Sequence, residues 1–302
     1  MTTIGEHVKL DGRILAVVGG DEREQEIARL AVKLGAEVRL VGFPYESGSI
    51  AGATECATAA EAMAGAHYAL MPIPGMTADG AIFGKQHIVP DEALLQNMTP
   101  GGHIILGKPD AGLVAAAAAT GITLHAYEHD NELMLLRAPA IVEGVLKLVI
   151  EMTEFTIHRS KTVIVGQGNI GSVLTNTMVK LGAKVTVAAR NPVHRAQAET
   201  LGADSVPLEE LLSEVRDADI VLSTVPHPIV TAAVIDQTPR HAIIVDVSAP
   251  PGGCDLDHAR ATGRKALWAR ALGRYAPVTV GRSQWIGISK IISAIESSRG
   301  AA

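Results

Sequence analysis

The sequence predicts an α/β protein of two Rossmann-like domains, each built on a doubly wound parallel sheet, with a cleft between them. Short apolar strands alternate with amphipathic helices through both halves of the chain, and alternating βα units form parallel sheets. A glycine-rich turn of the type G-x-G-x-x-G follows an apolar strand just past the midpoint. The chain has 302 residues, of which 47% are hydrophobic, and this suffices for two domain cores.

Residues 1–140 are predicted to form the first domain. Helices are expected at residues 22–34 and 111–120. Connections between parallel strands place such helices over the faces of the sheet, so the strands should form one parallel sheet. These strands are expected at residues 14–18, 37–41, 68–71, 103–106 and 122–125.

Residues 141–281 are predicted to form the second domain, which a long helix at residues 140–158 introduces. Residues 285–297 are apolar at helical intervals, so residues 282–302 are expected to form a C-terminal helix that packs back on the first domain. The strands of the second domain are expected at residues 162–165, 184–189, 220–223, 243–247 and 266–268.

Composition narrows the class of ligand. The formal net charge of −6 argues against binding to nucleic acid or to a membrane surface and favours a small molecule. The two cysteines, Cys56 and Cys254, lack a metal-binding spacing, so neither a metal site nor a disulfide scaffold is expected. The apolar run at residues 115–119 is too short to span a bilayer, and no signal segment is visible. We expect a cytoplasmic protein and a homo-oligomer.

The glycine-rich turn is the strongest functional signal. An apolar strand leads directly into Gly166, Gly168 and Gly171, and an amphipathic run follows. Glycines at this spacing let the backbone approach a dinucleotide pyrophosphate, while the helix N-terminus faces the anion. Any tight βα turn can collect three glycines, but the strands on both sides favour a cofactor site that also includes Asn169 and Ile170.

The end of the next strand indicates which dinucleotide is bound. NAD-specific sites place a carboxylate there to bind the ribose 2′-hydroxyl, whereas this chain has Arg190 followed by Asn191. Arg190 is either an ordinary solvated arginine or a guanidinium that stacks on adenine and pairs with a 2′-phosphate. The second interpretation predicts that NADP is the cofactor and that NAD is less suitable.

Two later strand ends are expected to complete the cofactor site. Thr224, Val225 and Pro226 follow one strand and Ser248 follows the next, where backbone groups and hydroxyls suit a nicotinamide ribose and carboxamide. Ordinary turn chemistry is the alternative. His227 is a candidate general base, although exposed loop histidines are commoner than catalytic ones.

In the first domain, Asp21 and Arg23 follow the first strand within the run Gly19-Gly20-Asp21. Asp21 is either a helix N-cap that forms a capping box with Glu24 or part of a catalytic site. Arg23 is a cation in the first helical turn, where it opposes the helix dipole unless an anion lies nearby. A carboxylate of the substrate would supply that anion.

Two further charges are candidates. Lys108 follows a strand and is either a solvated loop lysine or a counter-charge for a substrate carboxylate. Glu143 lies in an otherwise apolar run where the chain enters the long helix. A first-turn glutamate that favours the helix dipole explains it, and a catalytic role is the alternative.

The order and spacing of six motifs, from about residue 14 to residue 292, resemble the dipicolinate synthase A family. The resemblance implies an NADP-dependent oxidation of a dihydrodipicolinate-type cyclic dicarboxylate to pyridine-2,6-dicarboxylate, with a flavoprotein-like second subunit of the B type as partner. The motifs are Gly19-Gly20-Asp21-x-Arg23, Val142-Glu143-Gly144, Thr156-Ile157-His158, Gly166-x-Gly168-x-x-Gly171, Ala189-Arg190 and Pro251-Gly252-Gly253.

Two departures leave the substrate open. Arg137 stands where the family has a small polar residue, and residues 272–281 lack the family's loop proline, so a related cyclic or imino dicarboxylate is an alternative. A 2-hydroxy-acid dehydrogenase shares the two-domain plan but requires an arginine and a histidine at strand ends where this chain has neither. A non-catalytic nucleotide-binding subunit of a complex is the third alternative.

Overall fold

The computed structural model describes residues 9–128 and 130–300. Its internal contacts divide the chain into two compact units. The first unit comprises the chain up to Leu133 together with the segment from Ala276 onward, and the second comprises Met134–Tyr275.

The first unit contains a six-stranded parallel sheet in the order β3-β2-β1-β4-β5-β6. Its central strands are apolar and buried, as expected for a sheet that helices cover on both faces. The strands are β1 Ile14–Val18, β2 Glu37–Val41, β3 Ala53–Glu55, β4 Tyr68–Leu70, β5 His103–Leu106 and β6 Thr123–Ala126. The helices are α1 Arg23–Lys33, α2 Ala59–Met63, α3 Glu92–Leu95, α4 Ala111–Thr120 and, at the end of the chain, α11 Pro277–Gly300.

The second unit contains another six-stranded parallel sheet, in the order β12-β11-β10-β7-β8-β9. The prediction of two Rossmann-like parallel-sheet domains is therefore confirmed. The strands are β7 Lys161–Val165, β8 Lys184–Ala188, β9 Asp204–Val206, β10 Ile220–Ser223, β11 Ile243–Asp246 and β12 Lys265–Trp268. The helices are α5 Asn131–Met152, α6 Asn169–Lys180, α7 Pro192–Thr200, α8 Leu211–Glu214, α9 Ala232–Gln237 and α10 Leu256–Ala261.

The long helix differs from its prediction at both ends. It was expected at residues 140–158 but spans Asn131–Met152, with Pro139 in its interior. Asp130 determines the start, because its Oδ1 accepts hydrogen bonds from the backbone N–H groups of Glu132 and Leu133 at 2.9 and 3.2 Å. A side-chain acceptor of this kind satisfies amides that the helix itself leaves unpaired.

The C-terminal helix is longer than predicted and belongs to the first unit. It begins at Pro277, so half of the loop expected at residues 272–281 is helical, and Leu272–Tyr275 form a 3₁₀ turn. Trp285, Ile288 and Ile292 of α11 are buried in the same core cluster as residues of α1. Burial of these large apolar side chains stabilises the docking of α11 on α1.

Candidate functional site

The turn after β7 uses its three glycines in three different ways. Gly166 has a φ of +96°, and a Cβ there would lie 2.5 Å from the side chain of Val225. A Cβ on Gly171 would lie 2.3 Å from the carbonyl oxygen of Gly166, so this glycine permits close packing of α6 on the sheet. A Cβ on Gly168 would meet no atom within 4 Å. Gly168 therefore borders open space, which is the property that a pyrophosphate-binding position needs.

A cavity of about 620 Å³ lies against this turn in the second unit. Its size is in the range of small-molecule and cofactor pockets. All the predicted cofactor-binding residues except Ser248 line it: Gly166, Gly168, Asn169, Ile170, Gly171, Arg190, Asn191, Thr224, Val225 and Pro226. His227, the predicted general base, also lines it and is exposed.

Sheet topology explains why residues so distant in the sequence meet at this cavity. β7 lies between β10 and β8, and the carboxyl ends of parallel neighbours reach the same edge of the sheet. The residue before α6 is Gly168, so no side chain caps the first amides of this helix. The amides at a helix N-terminus and the helix dipole favour an anion. The second unit thus fits a dinucleotide pyrophosphate.

The end of β8 presents a cation and no carboxylate to the cavity. Arg190 is exposed, and its side chain makes no hydrogen bond or ion pair with any residue in 9–128 or 130–300. Its backbone is nevertheless held, because Arg195 Nη1 donates to the carbonyl oxygens of Ala189 and Arg190 at 2.8 and 3.0 Å. Asn191 caps α7, its Oδ1 accepting from the N–H of Val193 at 2.9 Å. The loop is fixed while the guanidinium is available to an anionic ligand.

Sequence reasoning missed two residues that line this cavity. His194 lies one helical turn after Arg190 and faces the same space, a spacing that the sequence does contain. Gln167 is buried inside the glycine turn, and its Oε1 accepts a hydrogen bond from the Thr175 hydroxyl at 2.7 Å. This bond ties the turn to α6, whereas the Gln167 Nε2 has no partner among the described residues.

Ser248 lies outside the cavity, and its hydroxyl has a structural partner. The buried Asp246 at the end of β11 accepts hydrogen bonds from the Ser248 hydroxyl at 2.6 Å and from the N–H groups of Ser248, Gly253 and Cys254. Burial raises the pKa of the neighbouring Cys254 thiol. Asp246, which sequence reasoning passed over, organises this loop, and Ser248 serves that organisation.

In the first unit, Asp21 and Arg23 pair with each other. Arg23 Nε and Nη2 donate to the two carboxylate oxygens of Asp21 at 2.6 and 2.7 Å, and Arg23 is only 7% exposed. The anion that the sequence required near Arg23 is therefore Asp21 itself. Asp21 is not the N-cap of α1, because Glu22 occupies that position without a capping side chain. One half of the expected capping box exists, since the Asp21 N–H donates to Glu24 Oε2 at 2.7 Å.

Glu24 is the most perturbed carboxyl group of this turn. It is 2% exposed, and burial raises its pKa to about 7 because desolvation disfavours the charged form. Gly20 has a φ of +106°, and a Cβ there would lie 2.3 Å from the Glu24 carboxyl carbon. Glycine at position 20 is thus required by both the backbone and the packing of Glu24.

The remaining catalytic candidates lie elsewhere. Glu143 is exposed in the middle of α5, so the expectation of a first-turn glutamate is wrong, because the helix begins at Asn131. Asp21 and Arg23 belong to the first unit, whereas Glu143 and His227 belong to the second. Across residues 9–128 and 130–300, no group of three or more metal-ligating side chains comes together. Of the helices described, none combines the length and the apolar character needed to cross a bilayer.

Fold and site together define a protein with two Rossmann-like domains and a dinucleotide-type cavity in the second. Residues 14–127 match the N-terminal domain of dipicolinate synthase A, and residues 148–259 match shikimate/quinate 5-dehydrogenase. The chain is 30% identical to dipicolinate synthase A of Bacillus subtilis strain 168, over 96% of this chain and 99% of that relative. The chain belongs to the dipicolinate synthase A family.

Solved structures agree with this assignment. The crystal structure of dipicolinate synthase A from Bacillus halodurans superposes with a TM-score of 0.86 at 28% identity, covering 94% of this chain and 99% of that one. A transhydrogenase from Sinorhizobium meliloti, at 14% identity and a TM-score of 0.70, covers 93% of this chain and 94% of its own and shares the fold. Family membership and the dehydrogenase-type second domain support an oxidoreductase.

Proposed function

We propose that this chain is an NADP-dependent oxidoreductase that converts a dihydrodipicolinate-type cyclic dicarboxylate to dipicolinate. The observation that carries the proposal is the cavity at the glycine turn, where the unpaired Arg190 stands at the ribose end in place of a carboxylate. A guanidinium suits a 2′-phosphate, whereas an NAD site places an acidic residue there. NAD is the less suitable cofactor on this proposal.

The chain's own residues would bind and orient. The backbone at Gly168 and the first amides of α6 would hold the pyrophosphate, and Arg190 the 2′-phosphate. Residues 224–226 and the adjacent His227 would border the nicotinamide end. The bound cofactor supplies a hydride acceptor, and the substrate ring also loses one proton, to a base or to water, as it becomes aromatic. His227 and Glu143 remain proposals for that base.

The roles of Asp21 and Arg23 take a more specific form. Because Asp21 occupies Nε and Nη2 of Arg23, a substrate carboxylate would have to approach the remaining Nη1. We propose that the ion pair mainly sets the shape of the turn after β1, and that any contact with substrate is made through the pair. Ser248 would act indirectly, by keeping the loop after β11 in place.

Partners and location are also part of the proposal. The two Bacillus relatives are each named as the A-type component of a synthase with more than one kind of subunit. Their names support a second component, here a flavoprotein-like one of the B type. We further propose a homo-oligomer in the cytoplasm. Neither nucleic acid nor a membrane surface is proposed as a partner, given the net charge of −6.

The experiment that tests the function uses the purified chain, alone and with a B-type flavoprotein. NADP or NAD is mixed with cyclic dicarboxylates, with imino dicarboxylates or with 2-hydroxy acids, and the absorbances of reduced cofactor and pyridine product are followed. The proposal predicts NADP reduction with a cyclic dicarboxylate. Reduction only with 2-hydroxy acids contradicts the substrate class, and tight cofactor binding without any turnover, even with the flavoprotein present, indicates a non-catalytic nucleotide-binding role.

A further inference from the structure

A second cavity, of about 380 Å³, lies within the first unit. It is formed at the carboxyl ends of β5 and β6, where Lys108 and Glu128 follow the two strands, and α11 closes it with Lys290. Ligands of open α/β sheets bind outside the carboxyl ends of the strands. The cavity therefore lies at an edge of the sheet where small molecules are bound in this fold class.

Two opposite charges in this cavity have no partner. Lys108 is exposed and makes no ion pair or hydrogen bond through its side chain with any other described residue. Glu128 has a buried oxygen, Oε2, that no described donor reaches. Although both residues line the same space, they form no ion pair with each other. An unpaired carboxylate oxygen shielded from water is unfavourable, so a ligand donor would relieve it.

The other charges of the cavity already have partners. Lys290 pairs with Glu132. Asp130 accepts two backbone hydrogen bonds at the start of α5. What the cavity lacks is thus one anion for Lys108 and one N–H donor for Glu128, at two separate positions.

The backbone holds both residues in place. A Cβ on Gly107 would lie 1.9 Å from the carbonyl oxygen of Ile73, and one on Gly75 would lie 2.2 Å from the carbonyl oxygen of Lys108. The two loops are therefore packed in direct contact around Lys108. The Glu128 N–H donates to the Gly107 carbonyl at 3.1 Å, which joins the ends of β5 and β6. Such preorganisation reduces the entropy lost on binding.

We infer that this cavity binds a small molecule in which a carboxylate is adjacent to a protonated nitrogen, that is, an α-imino or α-amino carboxylate. Lys108 pairs with the carboxylate and Glu128 accepts a hydrogen bond from the nitrogen. A ligand with carboxylates alone fits less well, because Glu128 and Asp130 would repel it. This inference rests on the proposed function, whose ring substrate carries a nitrogen next to a carboxylate.

The test is a calorimetric titration of the full chain, without cofactor, using two probes with the same ring size. Piperidine-2-carboxylate has the protonated nitrogen, and cyclohexanecarboxylate lacks it. The inference predicts that the first probe binds more tightly and that Lys108→Gln and Glu128→Gln each weaken its binding by about tenfold or more. Exposed residues of the same unit supply the controls, Lys85→Gln and Glu46→Gln, which should leave binding unchanged. Circular dichroism verifies that each variant is folded.

The outcomes separate this inference from the proposed function. Equal binding of both probes, or full binding by folded Lys108→Gln and Glu128→Gln variants, overturns the inference even if the chain reduces NADP. Conversely, binding that depends on both residues supports the inference even if no substrate is turned over. A double variant that is no weaker than either single variant shows that one ligand spans both charges, as the inference requires.

Discussion

Replacing Arg190 by alanine should remove the preference for NADP over NAD. The side chain is exposed and unpaired, so its contact with a 2′-phosphate would be charge-assisted but solvent-screened. Charge-assisted hydrogen bonds contribute about 1.5–3 kcal/mol, and exposed ion pairs contribute about 1 kcal/mol or less. An intermediate value of about 1.4 kcal/mol corresponds to a tenfold loss of NADP affinity. NAD has no 2′-phosphate, so its affinity should stay the same.

The assay is a titration of each cofactor into the parent, into Arg190→Ala and into Arg216→Ala, which replaces an exposed arginine elsewhere in the second unit. The parent should bind NADP about tenfold more tightly than NAD, and added salt should reduce that ratio because it screens the contact. Only Arg190→Ala should abolish the preference. Equal affinities in the parent, or a preference that survives in Arg190→Ala, would refute the reasoning.

The other predictions concern the glycine turn and the charges after β1. Gly168→Val should abolish NADP binding in a folded protein, because its side chain enters open space, whereas Gly171→Val should destabilise the fold; calorimetry and circular dichroism distinguish the two, and undiminished binding by Gly168→Val would place the site elsewhere. Glu24 has its pKa raised to about 7 in the folded protein, so the folded state retains a proton that the unfolded state releases, and stability falls as the pH rises from about 4.5 to about 7. Relative to the parent, Glu24→Gln should gain up to about 3 kcal/mol between about pH 5 and pH 8 in urea unfolding, and a pH-independent difference would contradict this. Arg23→Ala should lower the free energy of unfolding by about 3 kcal/mol, because it leaves the Asp21 carboxylate without its partner; a fully stable variant with impaired substrate binding would instead support a direct substrate contact.

The cofactor turn could be predicted because each of its glycines is required by a local backbone feature. Gly166 needs a positive φ, Gly168 a position without a side chain, and Gly171 a close contact with the sheet. These needs leave their trace in the sequence at fixed spacing. The strand ends could be predicted for the same reason, since apolar runs and turn residues alternate regularly.

Pairings between side chains could not be predicted in this way. The sequence placed Asp21 and Arg23 in the same turn, but only side-chain geometry reveals that they satisfy each other. Ser248 was located at the correct strand end, yet its hydroxyl turns toward Asp246 and away from the cavity. The three-residue edge strand β9 was missed because it is not buried, so no apolar pattern marks it.

The central claim is that oxidation of the ring is coupled to reduction of NADP in the cavity at Gly168. Its most direct test measures, in one reaction on a dihydrodipicolinate-type substrate, the amounts of NADPH and of dipicolinate formed by the parent and by Gly168→Val. The account predicts one NADPH for each dipicolinate in the parent, because aromatisation removes one hydride and one proton, and neither product above background in Gly168→Val. Dipicolinate formed without NADPH, or equal rates in the two proteins, would contradict it.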